Sequence, residues 1–335
     1  MKLRHEALKR LISKVWGEDP SVLVPPKPGE DAAVLDLGSG NALVVHPDPI
    51  TGAVQYLGRL AIYVPTNDIA VEGGYPRYVT MTLILPEGAG EETALRVAED
   101  AGRAAEELGV SVVGGHTEFS DSVTRPLVVV TAVGFSDTAH ITPTSAARPG
   151  DLIIMGKSAA MEAAAIVATD FRERLEDAGV PREVIEEAAS LIERISLVRE
   201  AWALASRRLV RAMHDPTEGG LLGGVAEMAD ASGLSAVIDA SSVIVSEAVR
   251  EVLSAVGVDP LRSLSSGTLV AAVPREKVGE ALAVLESMGA EASIIGEFTW
   301  RRDWLVKVVG GEEVVYIDEP FVEDEVMALW EQSAR

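Results

Sequence analysis

The segment Glu91–Leu108 constrains this chain most. Ala94, Leu95, Ala98, Ala101, Ala105 and Leu108 recur at helical spacing, and Gly109 stands where a helix C-cap belongs. Around it, residues 32–37, 42–46, 77–85, 110–113 and 127–135 read as strands, the first two joined by the turn Gly38-Ser39-Gly40-Asn41. Strands interrupted by one long helix predict an α+β unit. A second unit opens after the joint Arg148-Pro149-Gly150. It reads as strand 151–155, helices 161–175, 182–206 and 219–231, strand 235–238, helix 246–256, strand 268–273, helix 275–288 and strand 292–296. Residues 1–15 read as a basic amphipathic helix, and the acidic stretch from Asp318 as a solvated helix face or tail. A length of 335 residues agrees with two domains.

Composition removes several functions. There is no cysteine, hence no disulfide, thiolate nucleophile or Cys-based metal centre. Basic residues number 29 against 52 acidic ones, a net charge of −23, which repels polyanions and argues against nucleic acid as a partner. No apolar run is long enough to span a membrane and no signal core opens the chain, so a cytoplasmic location is expected. Asn41, Asn67, Gln55 and Gln332 are the only amides, a scarcity reported for thermophile proteins.

Four segments carry candidate chemistry. A hairpin turning at Ser39-Gly40 sets Asp31 opposite Asp48, with Glu30 beside them. Opposed like charges destabilise a hairpin unless a cation joins them, so the pair is either an Mg²⁺ site or two turn residues at strand ends. In the segment Pro65 to Pro76, Thr66, Asn67 or Asp68 can cap a short helix ended by Gly73-Gly74. That helix start would also suit a phosphate, with Asp68 on a metal. Gly114-Gly115-His116-Thr117-Glu118 gathers polar side chains after a short apolar strand, where glycine lets a ligand approach. Asp215-Pro216-Thr217-Glu218 reads as a capping box, and Gly219, Gly220, Gly223 and Gly224 call for close packing or a close ligand. Gly156-Lys157-Ser158 is no P-loop, because Asp151 stands where one needs its first glycine.

Taken in order, these segments resemble one superfamily: AIR synthase, FGAM synthase, selenophosphate synthetase, thiamine-monophosphate kinase and the hydrogenase maturation factor HypE. Gly29-Glu30-Asp31-Ala32-Ala33 is similar to its GDDAA element, and Asp48 to the Asp that ends its second strand. Asn67-Asp68-Ile69-Ala70 with Gly74 and Pro76 resembles N-D-L-A…G…P. Gly114-Gly115-His116-Thr117 resembles GG(D/H)(T/S), and Asp215-Pro216-Thr217-Glu218-Gly219-Gly220 the DPTRGG of HypE. Gly257-Val258-Asp259-Pro260-Leu261 and Ile295-Gly296 match HypE's later pattern, which makes HypE the nearest branch.

The resemblance implies a two-domain PurM-like α+β fold, with residues 1–145 binding ATP and metal and dimerising through their sheet, and 146–335 forming the AIR-synthase-like C-terminal domain. It implies a homodimer, ATP in a cleft between the domains, and Mg²⁺ on Asp31, Asp48 and Asp68. Asn67, Gly114, Gly115, His116 and Thr117 would line the nucleotide, with Asp215 and Glu218 approaching from the second domain. The implied activity is phosphoryl transfer from ATP to an oxygen of a substrate, with a small molecule or a maturation partner protein as the other party. The alternative is a nucleotide-binding maturation or scaffold protein without turnover. Three departures stand out. The chain lacks HypE's terminal cysteine, His116 replaces an Asp, and residues 156–165 lack the Gly-His-Gly of many HypE proteins.

Overall fold

The computed structural model describes residues 3–51, 54–311 and 313–333. Two sheets organise it. The first contains β1 (Val22–Val24), β2 (Ala33–Gly38), β3 (Asn41–Ile50), β4 (Tyr75–Pro86), β5 (Ser111–Ser120) and β6 (Leu127–Asp137), in the order β1-β2-β3-β6-β4-β5. The second contains β7 (Leu152–Gly156), β8 (Ala212–His214), β9 (Leu234–Asp239), β10 (Leu269–Val273), β11 (Ala292–Trp300), β12 (Val306–Val309) and β13 (Val315–Ile317), in the order β13-β12-β9-β11-β7-β10-β8. The N-terminal helix is α1 (His5–Val15); Met1 and Lys2, the start of the expected helix, lie outside the described residues. No helix among the described residues is long and apolar enough to cross a membrane.

Helices α2 (Leu57–Val71) and α3 (Glu91–Leu108) belong to the first sheet, α3 being the crossover between the parallel strands β4 and β5. Gly109 closes α3 in the left-handed region, as its position predicts. Along β6, Val128, Val130 and Ala132 are fully buried in one core with Leu60 and Ile69 of α2. The alternate residues Val129, Thr131 and Val133 are only partly covered, so the opposite face of the sheet is left open.

The second unit supplies α4 (Met161–Asp170), α5 (Arg172–Asp177), α6 (Arg182–Ser190), α7 (Val198–Ser206), α8 (Gly220–Ala231), α9 (Glu247–Val256), α10 (Val278–Ser287) and α11 (Glu325–Ser333). Helices α4, α6 and α9 share the core of α2 rather than covering the second sheet. Helix α2 is thus buried along nearly its whole length, which is why it shows no single apolar stripe.

The structure corrects several local expectations. The hairpin pairs Ala33 with Val45 and Leu35 with Leu43, one residue off the register that opposes Asp31 to Asp48, because a bulge between Asp36 and Gly38 absorbs the difference. The expected helix 182–206 is broken into α6 and α7. The acidic C-terminal stretch is not a solvated face: Val322, Val326 and Leu329 are buried, and Asp324 caps α11 by accepting from Val326 N and Met327 N. It also accepts from Gly219 N at 3.0 Å.

Candidate functional site

The inward face of β3 begins with Ala42 and Val44 and continues, at the same alternation, with His46 and Asp48. Leu60, Val64 and Asp68 form one stripe of α2 at intervals of a helical turn. These two polar ends meet, and the residues around them enclose a cavity of about 310 Å³. Asp31 enters from the turn before β2, Asp215 and Glu218 from the link between β8 and α8, and Glu162 from the first turn of α4. A second cavity of about 430 Å³ adjoins it, sharing Thr51, Glu218, Glu227, Met327 and Trp330, with Arg4 and Arg125 at its wall.

Two histidines stand among the acids. His46 Nε2 is 3.2 Å from Asp68 Oδ2 and 3.9 Å from Asp48 Oδ1. Burial disfavours its charge, but Asp68, Asp48 and Asp31 outweigh that and raise its pKa to about 9. Burial likewise raises Asp68, to about 8, with His46 pulling it down and Asp31 and Asp48 pushing it up. The shift of His46 has the direct cause, an imidazole between two carboxylates, and the group as a whole keeps an extra proton at neutral pH. His214 Nδ1 lies 2.7 Å from Asp31 Oδ2 and its Nε2 3.2 Å from Glu227 Oε2. Burial opposes its charge, yet Asp31 and Glu227 raise it well above the usual value; only an imidazolium donates from both nitrogens.

Behind this layer Asp215 is buried, its Oδ1 accepting from Gly267 N at 2.9 Å and its Oδ2 from Asn67 Nδ2 at 2.8 Å. Burial and then Asp68 raise its pKa well above the normal range despite those two donors. Glu72 is buried; burial, then Glu30 and Asp31, raise it well above the usual value, with the backbone of Ala32 opposing. Glu162 is also buried, and its Oε2 has no partner. Burial raises it to about 7, with Ser266 opposing and Asp324 and Asp48 adding.

Asp31, Asp48, Asp68, Asp215 and Glu218 therefore come together around one cavity, and Asn67 supports them through Asp215. Gly114, Gly115, His116 and Thr117 do not join them. They lie within the edge strand β5 rather than in a loop after a strand, are exposed, and His116 faces Glu118 at 3.1 Å. Asn67 and Asp68 are not N-caps; they sit in the last turn of α2, so no helix start is offered to a phosphate there. Gly73 and Gly74 do end that helix, donating to Ala70 O and Ile69 O. The capping box at Asp215 is not made either: α8 starts at Gly220, behind Gly219 in the left-handed region. A Cβ on Gly220 would stand 2.5 Å from Ser263 N, and one on Gly224 2.8 Å from Pro216, so the chain's own packing explains these glycines.

Sequence reasoning missed His46, the pairing of His214, and Glu162. The first had a legible signal, since His46 and Asp48 occupy the buried phase of β3; the second and third had none. The oxygen donors suit Mg²⁺, although among the described residues no three His, Asp or Glu side chains stand at spacing that would hold a metal by themselves. Mg²⁺ commonly takes only one or two protein carboxylates and completes its shell with phosphate and water, which this arrangement allows.

Two family models match the chain: the AIR synthase related protein N-terminal domain over residues 29–136 and the corresponding C-terminal domain over 148–305. A carbamoyl dehydratase HypE of Cupriavidus necator is 30% identical, over 80% of this chain and 76% of its own length. The crystal structure of Escherichia coli HypE has a TM-score of 0.73 at 27% identity, covering 95% of this chain and 98% of that one. A hydrogenase maturation protein HypE solved in complex with ATP has a TM-score of 0.69 at 26% identity, over 95% and 98% of the two chains.

Proposed function

This chain belongs to the AIR synthase related family and has its two-domain PurM-like fold, and from that premise we propose that it is a HypE-like, ATP- and Mg²⁺-dependent enzyme that transfers a phosphoryl group to an oxygen of a substrate. The observation that carries this reading is the convergence of Asp31, Asp48 and Asp68 from the first unit with Asp215 and Glu218 from the second around one cavity. The HypE relative solved with ATP supports the choice of nucleotide. Asp31, Asp48 and Asp68 would hold Mg²⁺ together with phosphate and water, and the ion would neutralise phosphate charge. Asn67 and Asp215 keep the wall behind them rigid, and Glu218 lies where the two cavities join. Phosphoryl transfer needs mainly positioning and charge neutralisation, and these residues supply both.

We assign residues 1–145 to the nucleotide and dimerisation unit and 146–335 to the C-terminal unit. The open face of the first sheet, with Tyr78, Val129, Val133 and Phe135, is where a second copy docks. Gly114 to Thr117 lie outside their own chain's cavity, so their part in nucleotide binding requires that second copy. We take the acceptor to be an oxygen of another molecule, a small substrate or a maturation partner protein.

A nucleotide-binding protein without turnover is the second reading, favoured by one observation: His46 and His214 already neutralise the acids that would take a cation. Calorimetric titration with ATP, with and without Mg²⁺, followed by a phosphate-release assay, separates the cases. Saturable Mg²⁺-dependent binding with turnover is expected. Binding without turnover favours the second reading, and no binding at millimolar ATP removes both.

A further inference from the structure

Helix α4 reads Met-Glu-Ala-Ala-Ala-Ile-Val-Ala, and its residues from Met161 to Ala168 are buried. Glu162 is the one ionisable side chain in that run. An unpaired buried carboxylate is costly unless something compensates it. Several acids of the wall have partners: Asp31 has His214 and Thr144, Asp68 has His46, and Asp215 has Asn67 and Gly267. Glu30 Oε2 is also buried without a partner, but Glu30 sits beside Asp31 in the first unit, on the metal side of the cavity. Glu162 keeps Oε2 free while lining the same 310 Å³ cavity, with Ile166 one turn on and Ser266 beside it. It comes from the second unit, whereas Asp31, Asp48 and Asp68 come from the first, so a ligand in the cavity lies between them.

We propose that Glu162 is the acid–base residue on the acceptor side of the site, its free Oε2 taking the proton of the attacking hydroxyl or water. This rests on the phosphoryl-transfer reading and adds to it the residue that moves the proton. As the acceptor oxygen bonds to the γ-phosphorus, its proton passes to Glu162. The bond from that phosphorus to the β–γ bridging oxygen breaks, and ADP leaves with the electron pair. A pKa near 7, set by burial with Asp324 and Asp48 facing the group, lets it exchange the proton near neutral pH.

Glu162→Gln keeps the side chain's shape and removes the base. With water as the acceptor probe, phosphate release from ATP is expected to fall by about a hundredfold or more, while a non-hydrolysable ATP analogue with Mg²⁺ binds within about threefold of the unchanged protein. Unchanged phosphate release overturns the proposal. So does a parallel loss of analogue binding, which would make Glu162 part of the nucleotide seat or of the fold. Glu162→Ala with added formate is the second variant: a small carboxylate restores phosphate release only where the missing group moves a proton, and failure to restore it counts against the role. If the unchanged protein binds no analogue at all, the ATP reading fails first and takes this proposal with it, a result distinct from the others.

Discussion

Asn67 Nδ2 donates to Asp215 Oδ2 at 2.8 Å, joining residues 148 positions apart. The same amide donates to Ile195 O at 2.9 Å and accepts from Leu197 N at 2.7 Å. One side chain therefore ties α2 to the break between α6 and α7 and to the end of β8. Asn67→Leu keeps the branched shape of the side chain and orphans the Leu197 N–H, the Ile195 carbonyl and one oxygen of Asp215. Urea unfolding is expected to lose about 3 kcal/mol, since leaving buried polar groups unpaired costs roughly 1–3 kcal/mol each. A loss within error would mean that this tie does not hold the two units together.

Asp68→Asn removes the charge opposite His46 without changing shape. Mg²⁺-dependent phosphate release from ATP is expected to drop by about a hundredfold, with the melting temperature little changed. Unaltered turnover and Mg²⁺ dependence would take Asp68 out of the metal set.

His46 links stability to pH. Its folded-state pKa is about 9 against an ordinary value of about 6.5. The stabilisation from its proton is complete below the unfolded value and disappears as pH rises through the folded one; it is on the order of 3 kcal/mol. The nucleotide-free protein should therefore melt at falling temperature as pH climbs from neutral towards 9, and His46→Gln should flatten that slope. A flat profile in the unchanged protein would show that His46 is not held as an imidazolium.

On the first sheet, Val133 lies between Tyr78 and Val45 on the face that the chain's own helices leave open. Contiguous apolar surface of this kind marks an interface. Light scattering is expected to report a dimer, and Val133→Asp a monomer that melts as a folded protein. A monomeric mass for the unchanged chain would instead leave Gly114 to Thr117 without a route to the nucleotide.

The helix Glu91–Leu108 was legible to the residue, because periodicity and a C-capping glycine are local properties. Of helix α2 only the end at Gly73-Gly74 was read, and its start was placed about ten residues late, because a helix buried on most sides shows no stripe. The α6–α7 break was hidden for a different reason: Asn67, which satisfies the Leu197 N–H and the Ile195 carbonyl there, lies far away in the chain.

By itself the sequence determined the α+β class, the family, and which acids gather: Asp31, Asp48, Asp68, Asp215 and Glu218 were all identified from ordered motifs. Motif order is a one-dimensional property and survives without coordinates. Only the tertiary structure decided how those acids are kept together, with His46 on Asp68, His214 on Asp31, and Glu162 left free across the cavity. Charge pairing and burial depend on distances between residues remote in sequence, and a bulge or a broken helix resets those distances with no mark in the local pattern.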